Sequence, residues 1–563
     1  MKVVGVGELV YLSGGDAAGE DVTSFVWSMT PAPTSTATLD STGTMWNTFR
    51  PDVQGDYTIN LTVTTASGSS DASIVITAAE YAGVEAGQCG TCHFNTKNTW
   101  AQTGHSDMFT LAIDGLKSSH YNESCIECHT VGYNTDPTAV NGGFDDVQAD
   151  LGWVFPDTLV DGNWADIVAN FAALADKSNI QCESCHGPAS QHSPFNPDGN
   201  NRQGVSLDEG VCGRCHEEEP YHRRNIQWKE SAHALGGTFA RGTRSSCAPC
   251  HSGWGFIDEH QDKSTGGKYW TEDLPVTPIS CAVCHDPHMT TVEGDHQLRT
   301  IADFTLVNGV TITQGGTGKI CMNCHQARRE AFEYVTSFSG GTFRGAHHSV
   351  QTDVIFGQNA HTFGRVLPNS THKDALADAC SSCHMYPTPA DGLGRDKVGD
   401  HTFAVTYVDD MGNRVDNVAA CERCHGVIDS FADFMARNDD DGDGTVEGIQ
   451  DEIHGLLEHV AMLLPPEGST DILPGNDPFW AAPENLIYRK AFWNYLMMEE
   501  EGSFGVHNYQ FSVAVLKLTA QALEFGVLDA GMIMGIEDVP NDQGRQVGVA
   551  WSRFGGDGPS DTP

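Results

Sequence analysis

Eighteen cysteines occur in this chain of 563 residues, and every one lies in a C-x-x-C-H pentad. In chain order, motif 1 is Cys89, Cys92 and His93, motif 2 is Cys125, Cys128 and His129, and motif 3 is Cys182, Cys185 and His186. Motif 4 is Cys212, Cys215 and His216, motif 5 is Cys247, Cys250 and His251, and motif 6 is Cys281, Cys284 and His285. Motif 7 is Cys321, Cys324 and His325, motif 8 is Cys380, Cys383 and His384, and motif 9 is Cys421, Cys424 and His425. Residues i, i+3 and i+4 share one face of a helical turn. Two thiols so placed can bond the two vinyl groups of one haem, and the adjoining imidazole reaches the iron from the same side. A bare C-x-x-C also serves zinc knuckles and thiol redox pairs, but those chemistries do not call for a His directly after every pair. No cysteine is left for a disulfide. The expectation is nine covalently attached haem c groups, each with its pentad His as proximal ligand.

The second axial ligand of each iron largely sets its potential and reactivity. Of 25 histidines, nine belong to the pentads, and sixteen remain. A second His closes an iron for electron transfer, whereas an empty position can take a substrate. Local context singles out several as distal ligands. Trp100 to His105 and Trp228 to His233 repeat the pattern W-x-x-[TS]-x-H. His192 lies six residues past His186, and His288 three past His285. His347 is expected to serve from the doublet His347-His348; His120, His372 and His401 are further candidates. His222, His260, His296 and His361 are left open, and His454 and His459 are read as non-ligands.

A different chemistry is suggested by the run from Asn438 to Thr445, which contains D-x-D-x-D-G. Alternating Asp side chains converge on one hard cation, and a Gly takes the sharp turn. Asp439, Asp441, Asp443 and Thr445 are therefore expected calcium ligands, with Asp451 completing the shell and Glu447 or Glu452 as alternatives. Position twelve of the loop is Gln450 rather than Glu, a departure from the EF-hand pattern.

The elements that must carry these groups fall into three stretches. Residues 1–80 hold neither Cys nor His and read as strands at Glu8–Leu12, Ser24–Met29, Asp56–Thr64 and Ala72–Thr77. Asp52 to Tyr57 matches the tyrosine corner of an immunoglobulin-like sandwich. Residues 81–430 carry all nine pentads at irregular intervals of 30 to 59 residues, which excludes a solenoid. Residues 431–563 hold the calcium loop and three helices, Gly448–Leu464, Glu484–Met498 and Tyr509–Phe525, expected to pack on the haem region, then a loose end at Gly555–Pro563. The fold class is an N-terminal all-β, immunoglobulin-like sandwich followed by a mainly α, loop-rich multihaem domain with C-terminal helices.

Net charge is -44, from 75 acids against 31 bases. Such a balance disfavours nucleic acid and anionic membrane surfaces as partners. The sequence has no apolar run long enough to cross a bilayer, and the stretch after Met1 lacks a signal-peptide core.

The segments C-E-S-C-H-G-P, C-A-V-C-H-D-P-H and C-M-N-C-H-Q-A-R-R resemble multihaem cytochromes of metal-respiring bacteria. Phe492 to Leu496 and Glu501 to Asn508 resemble the C-terminal helices of the pentahaem nitrite reductase, hydroxylamine oxidoreductase and octahaem tetrathionate reductase superfamily, which includes a nine-haem surface terminal reductase. This resemblance implies that His507 ligates a haem. It also implies attachment of haem outside the cytoplasmic membrane, hence export with a removed signal and an extracellular or cell-surface site. The strands of residues 1–80 are similar to polycystic-kidney-disease-type surface modules. Two departures stand out: there is no C-x-x-C-K motif, and no position matches the cross-linking Tyr of hydroxylamine oxidoreductase. The expected function is electron conduction to minerals, electrodes or other cytochromes, as a monomer, homo-oligomer or filament subunit. The alternative is a reductase of nitrite, hydroxylamine or a sulfur oxyanion at one open haem.

Overall fold

The structure, a computed structural model, describes residues 2–15, 21–192, 206–219, 221–235, 241–260, 270–271, 276–289, 296–389, 392 and 394–526. The expected loose end at Gly555–Pro563 lies outside these residues. The chain forms two compact units: residues 1–225 with 280–297, and residues 226–279 with 298–563.

The first unit opens with six strands: β1 (Val3–Gly5), β2 (Val10–Ser13), β3 (Ser24–Thr30), β4 (Trp46–Phe49), β5 (Gly55–Thr65) and β6 (Gly68–Ala79). One sheet has the order β1-β6-β5-β3 and a second pairs β2 with β4. Strict alternation in β5 sends Tyr57, Ile59, Leu61 and Val63 inward, where they meet Trp27 and Phe49 in one core. Four strands follow the alternation of the sequence. β1 and β4 were not anticipated, because three or four residues carry too little period to register. β1 is fixed by tertiary pairing, running parallel to β6 with Val3 opposite Thr77. Tyr57 makes the corner that the sequence suggests. Its hydroxyl donates to the Val53 carbonyl at 3.0 Å and accepts from the Val53 amide at 3.2 Å.

Beyond the strands, regular structure comes in short pieces. Motifs 3 and 8 sit on single turns at Cys182–His186 and Cys380–His384, and motifs 4 and 9 on Gly210–His216 and Ala419–His425. A small core of Phe109, Ile113, Ile126, Phe144 and Leu174 supports motif 2 in the first unit.

In the second unit three longer helices dominate: α1 (Ile449–Leu463), α2 (Leu486–Glu501) and α3 (Tyr509–Phe525). Ile453, Leu456, Leu457 and Val460 form the buried stripe of α1, at the spacing a 3.6-residue period requires. They share one core with Trp480, Trp493, Phe511 and Val515, and with Val335, Phe343 and Val354 from the segment after motif 7. Among the described residues, no helix is long and apolar enough to cross a membrane.

Tyr57 is fully buried, so Tyr57→Phe strips the polar contacts to two residues at once: the Val53 amide and carbonyl, and Asp52, which shares the hydroxyl hydrogen at 3.1 Å. We expect this change to destabilise the sandwich by about 1–2 kcal/mol. Hydrogen exchange of β5 amides in the full chain, followed by mass spectrometry, checks it.

Candidate haem sites

Each pentad presents two thiols and an imidazole on one turn, and all eighteen thiols are free of disulfides. The donor set is that of covalently held haem. The structure adds what stands opposite each imidazole. Among the described residues, ring pairings set eight pentad histidines against a second His ring with centroids 6.0 to 6.5 Å apart.

In the first unit the pairs are His93 with His192, His216 with His105, His129 with His222, and His186 with His288. In the second unit they are His325 with His233, His251 with His347, His425 with His372, and His384 with His507. A metal held by two imidazoles at bonds of about 2 Å puts the ring centroids about 6.3 Å apart. The observed separations match that span, whereas direct ring stacking is much closer, as for His120 on Tyr221 at 3.8 Å.

The eight pairs take in seven of the nine histidines expected as distal ligands: His105, His192, His233, His288, His347, His372 and His507. His120 stands outside them, its ring laid flat on Tyr221. His222 stands across from His129 at 6.2 Å and edge-on to His216 at 5.9 Å. The sequence carried a signal for it, since His222 follows His216 by six residues, as His192 follows His186. His401 lies on the turn Asp400–Thr402 with its ring 5.9 Å from Phe403. His285, the ninth pentad imidazole, donates from Nδ1 to the His296 carbonyl at 2.8 Å.

The pairs are interleaved along the chain. The His following motif 3 faces motif 1, the His following motif 4 faces motif 2, and the doublet His following motif 7 faces motif 5. Neighbouring thiols repeat these three connections, Cys89 beside Cys182, Cys128 beside Cys215 and Cys250 beside Cys324. Two further pairs of thiols are neighbours, Cys212 with Cys281 and Cys321 with Cys380. Backbones are equally close, because Cys128 and Cys215 each reach the carbonyl of the opposite motif, Arg214 O at 3.9 Å and Cys128 O at 3.7 Å. Cys250 and Cys324 repeat the exchange with Asn323 O and Pro249 O at 3.8 and 3.9 Å. Motif 3 is also tied to the chain leaving the sandwich. The buried Glu183 carboxylate accepts from the amides of Ala82, Gly83 and Ala189 at 2.6–3.1 Å.

Two features prepare the imidazoles for a metal. Burial holds several of them neutral: the pKa values of His129, His216, His233 and His347 fall to about 4, chiefly by desolvation. A neutral ring keeps a lone pair for a metal. Second, Nδ1 of several rings is anchored elsewhere, which fixes the ring and its tautomer. Nδ1 of His384 donates to Phe403 O at 2.7 Å, that of His347 to His348 O at 2.8 Å and that of His372 to Val506 O at 3.0 Å. The repeated Trp does related work one step back. The indole of Trp100 donates to Ile180 O, two residues before motif 3, and that of Trp228 to Ile279 O, two residues before motif 6.

The chain is similar to multihaem c-type cytochromes. It is 26% identical over 159 residues to the cytochrome c-type protein NrfB of Escherichia coli O6:H1 (strain CFT073), a match covering 26% of this chain and 65% of that protein. It is 22% identical over 178 residues to the multiheme cytochrome MtrA of Shewanella baltica (strain OS185), covering 27% of this chain and 44% of that protein. The chain thus spans less than two thirds of each relative's length. No family model matches it. Among solved structures, the PKD domain from KIAA 1837 protein is 21% identical and covers 14% of this chain and 78% of that domain, with a TM-score of 0.12.

The acidic loop is a separate cluster. Carboxylate oxygens of Asp439, Asp441 and Glu452 all lie within 4.8 Å of one another. Asp451, expected to complete the shell, is exposed on the first turn of α1, and its neighbour Glu452 converges instead. Glu452 is fully buried and accepts from the amides of Asp440, Asp441 and Glu447 at 2.6–3.0 Å. Asp443 and Thr445 are exposed, and the Asp443 carboxylate accepts from the Thr445 amide at 2.7 Å. Burial, reinforced by the surrounding carboxylates, pushes Asp441 up to about 6. Asp440 faces the other way, into α3, where Lys517 meets it at 2.6 Å and the Tyr509 hydroxyl donates at 2.7 Å.

Both members of the Asp440–Lys517 pair are buried. Removing the cation alone leaves a buried charge, so Lys517→Met should cost about 3 kcal/mol. Chemical denaturation followed by near-UV dichroism of the Trp-rich core measures the loss.

Proposed function

We propose that the chain is a nine-haem c-type cytochrome that carries electrons outside the cytoplasm. The observation that supports this best is the set of eight imidazole pairs at the separation of a two-histidine iron site. Haem, when bound, supplies a reversible one-electron iron couple at each motif.

The residues of the chain do the rest. Paired thiols would hold each haem covalently, and at eight motifs the pentad His and the His across from it would together supply two imidazoles to the iron. Touching thiols hold neighbouring motifs side by side, in the first unit through motifs 1 and 3, 2 and 4, and 4 and 6. In the second unit they join motifs 5 and 7, and 7 and 8, while Cys383 of motif 8 lies within electrostatic reach of Cys421 of motif 9. His93 and His425 are the exposed pentad histidines, which makes motif 1 of one unit and motif 9 of the other the natural points of exchange with partners. Other multihaem cytochromes or solid acceptors such as minerals and electrodes are the partners this reading assigns. Covalent attachment through C-x-x-C-H requires export. The converging carboxylates of Asp439, Asp441 and Glu452 serve a structural calcium ion beside α1.

Two measurements test the reading. A pyridine haemochrome assay should return nine haems per chain, and the ferric protein should be low-spin throughout by electron paramagnetic resonance. His222→Ala should convert one haem to high spin, while His120→Ala should leave the spectrum unchanged. A high-spin component in the parent protein would sink the conduit reading and favour a reductase. For calcium, exhaustive chelation should lower Tm by several degrees, and added calcium should restore it. An identical Tm with and without chelator would exclude a structural ion.

A further inference from the structure

The partner of His384 is held unlike most of the others. His507 Nδ1 donates to a carboxylate, Glu501 Oε1 at the end of α2. The other anchored imidazoles described above donate to backbone carbonyls, and His325 bonds the Gln351 side-chain amide oxygen at 3.3 Å. His288 also meets a carboxylate, Asp286 Oδ1 at 3.2 Å, but His288 is well exposed, with 43% of its side chain open. At the His507 pair only 2% of the Glu501 side chain is open.

Glu501 is fully engaged in that position. Its second oxygen, Oε2, accepts from the Ser503 amide at 2.9 Å and the Ser503 hydroxyl at 2.7 Å. Together with His507 these contacts occupy both carboxylate oxygens out of water. The Ser503 hydroxyl in turn accepts from the His507 amide at 3.1 Å, closing the Glu501–His507 loop on itself. The Glu501 carbonyl accepts from Gln351 Nε2 at 2.9 Å, and Gln351 contacts His325 of motif 7. One corner thus braces the ligands of two adjacent motifs.

A carboxylate on the outer nitrogen makes an imidazole a stronger donor than a carbonyl does, and a buried negative charge favours the higher oxidation state of a nearby metal. We propose that Glu501 is a positioning residue that sets the motif 8 haem to a lower reduction potential than it would have with a neutral partner. The proposal rests on the two-histidine reading of His384 and His507. Its consequence is functional: lowering the potential of one centre within the run of motifs 7, 8 and 9 makes transfer onto that centre more uphill, from either side.

The test uses the full holoprotein. In a spectroelectrochemical titration, Glu501→Gln should move one of nine components to higher potential, with all haems still low-spin by electron paramagnetic resonance. Ser503→Ala removes a hydrogen bond that competes for the carboxylate, so it should move the same component to lower potential. Asp286→Asn, at an exposed pair, should give the smaller shift. Superimposable titrations of Glu501→Gln and parent would overturn the proposal. So would a high-spin haem in Glu501→Gln, which would make Glu501 a structural brace only, or shifts of the same sign in Glu501→Gln and Ser503→Ala. A parent protein that is not low-spin at all sites would overturn the two-histidine reading itself, which separates the two failures.

Discussion

The interaction on which the rest of this molecule depends is the meeting of two imidazoles from distant parts of the chain. His93 meets His192 across 99 positions of sequence, and His384 meets His507 across 123. A metal bound between such rings is a cross-link that closes a long loop. Loop closure costs entropy that rises only slowly with loop length, so one strong coordinate link can fix a long, sparsely packed segment. This explains how residues 81–430 adopt a defined course with helices of only one or two turns. The large apolar cores lie elsewhere, in the sandwich and around α1–α3.

Interleaving follows from the same constraint. A His six residues after a pentad lies too close along the chain to stand opposite that pentad's own imidazole, but it can reach the imidazole of a neighbouring motif. His192 and His222 both do this, each facing the motif two places earlier. Thiol contact between the same motifs, Cys89 with Cys182 and Cys128 with Cys215, is the other half of the arrangement. The result is that adjacency and ligation are specified together. Motifs cannot be separated without also removing a ligand, so spacing between redox groups is protected by the chemistry of the groups themselves.

The imidazoles are also tuned individually. Several have the outer nitrogen tied to a carbonyl, as in His384, His347 and His372. Such ties set ring orientation and donor strength. Glu501 differs from these in offering His507 a buried carboxylate. Exposed charges act on one another weakly across salty water, so a contact at short range and out of water distinguishes one site from the next.

Residue types and spacing alone supplied the nine C-x-x-C-H pentads, because two thiols and their imidazole occupy five consecutive residues and need no tertiary help. The long periodic elements are equally local: β5 and α1–α3 lie where alternation and the 3.6-residue repeat put them. Seven of the histidines singled out in the sequence stand across from a pentad ring, His507 among them by resemblance alone. What the sequence did not reveal is which ring meets which. His120 and His222 look equally suitable in one dimension, and only packing decides between them: Tyr221 takes the first ring as a stacking partner and leaves the second to face His129. Asp451 and Glu452 differ in the same way, one helical position turning a carboxylate from solvent into the loop. Local chemistry is written in neighbouring residues, whereas pairing is a property of distance in space, and that exists only once the chain has folded.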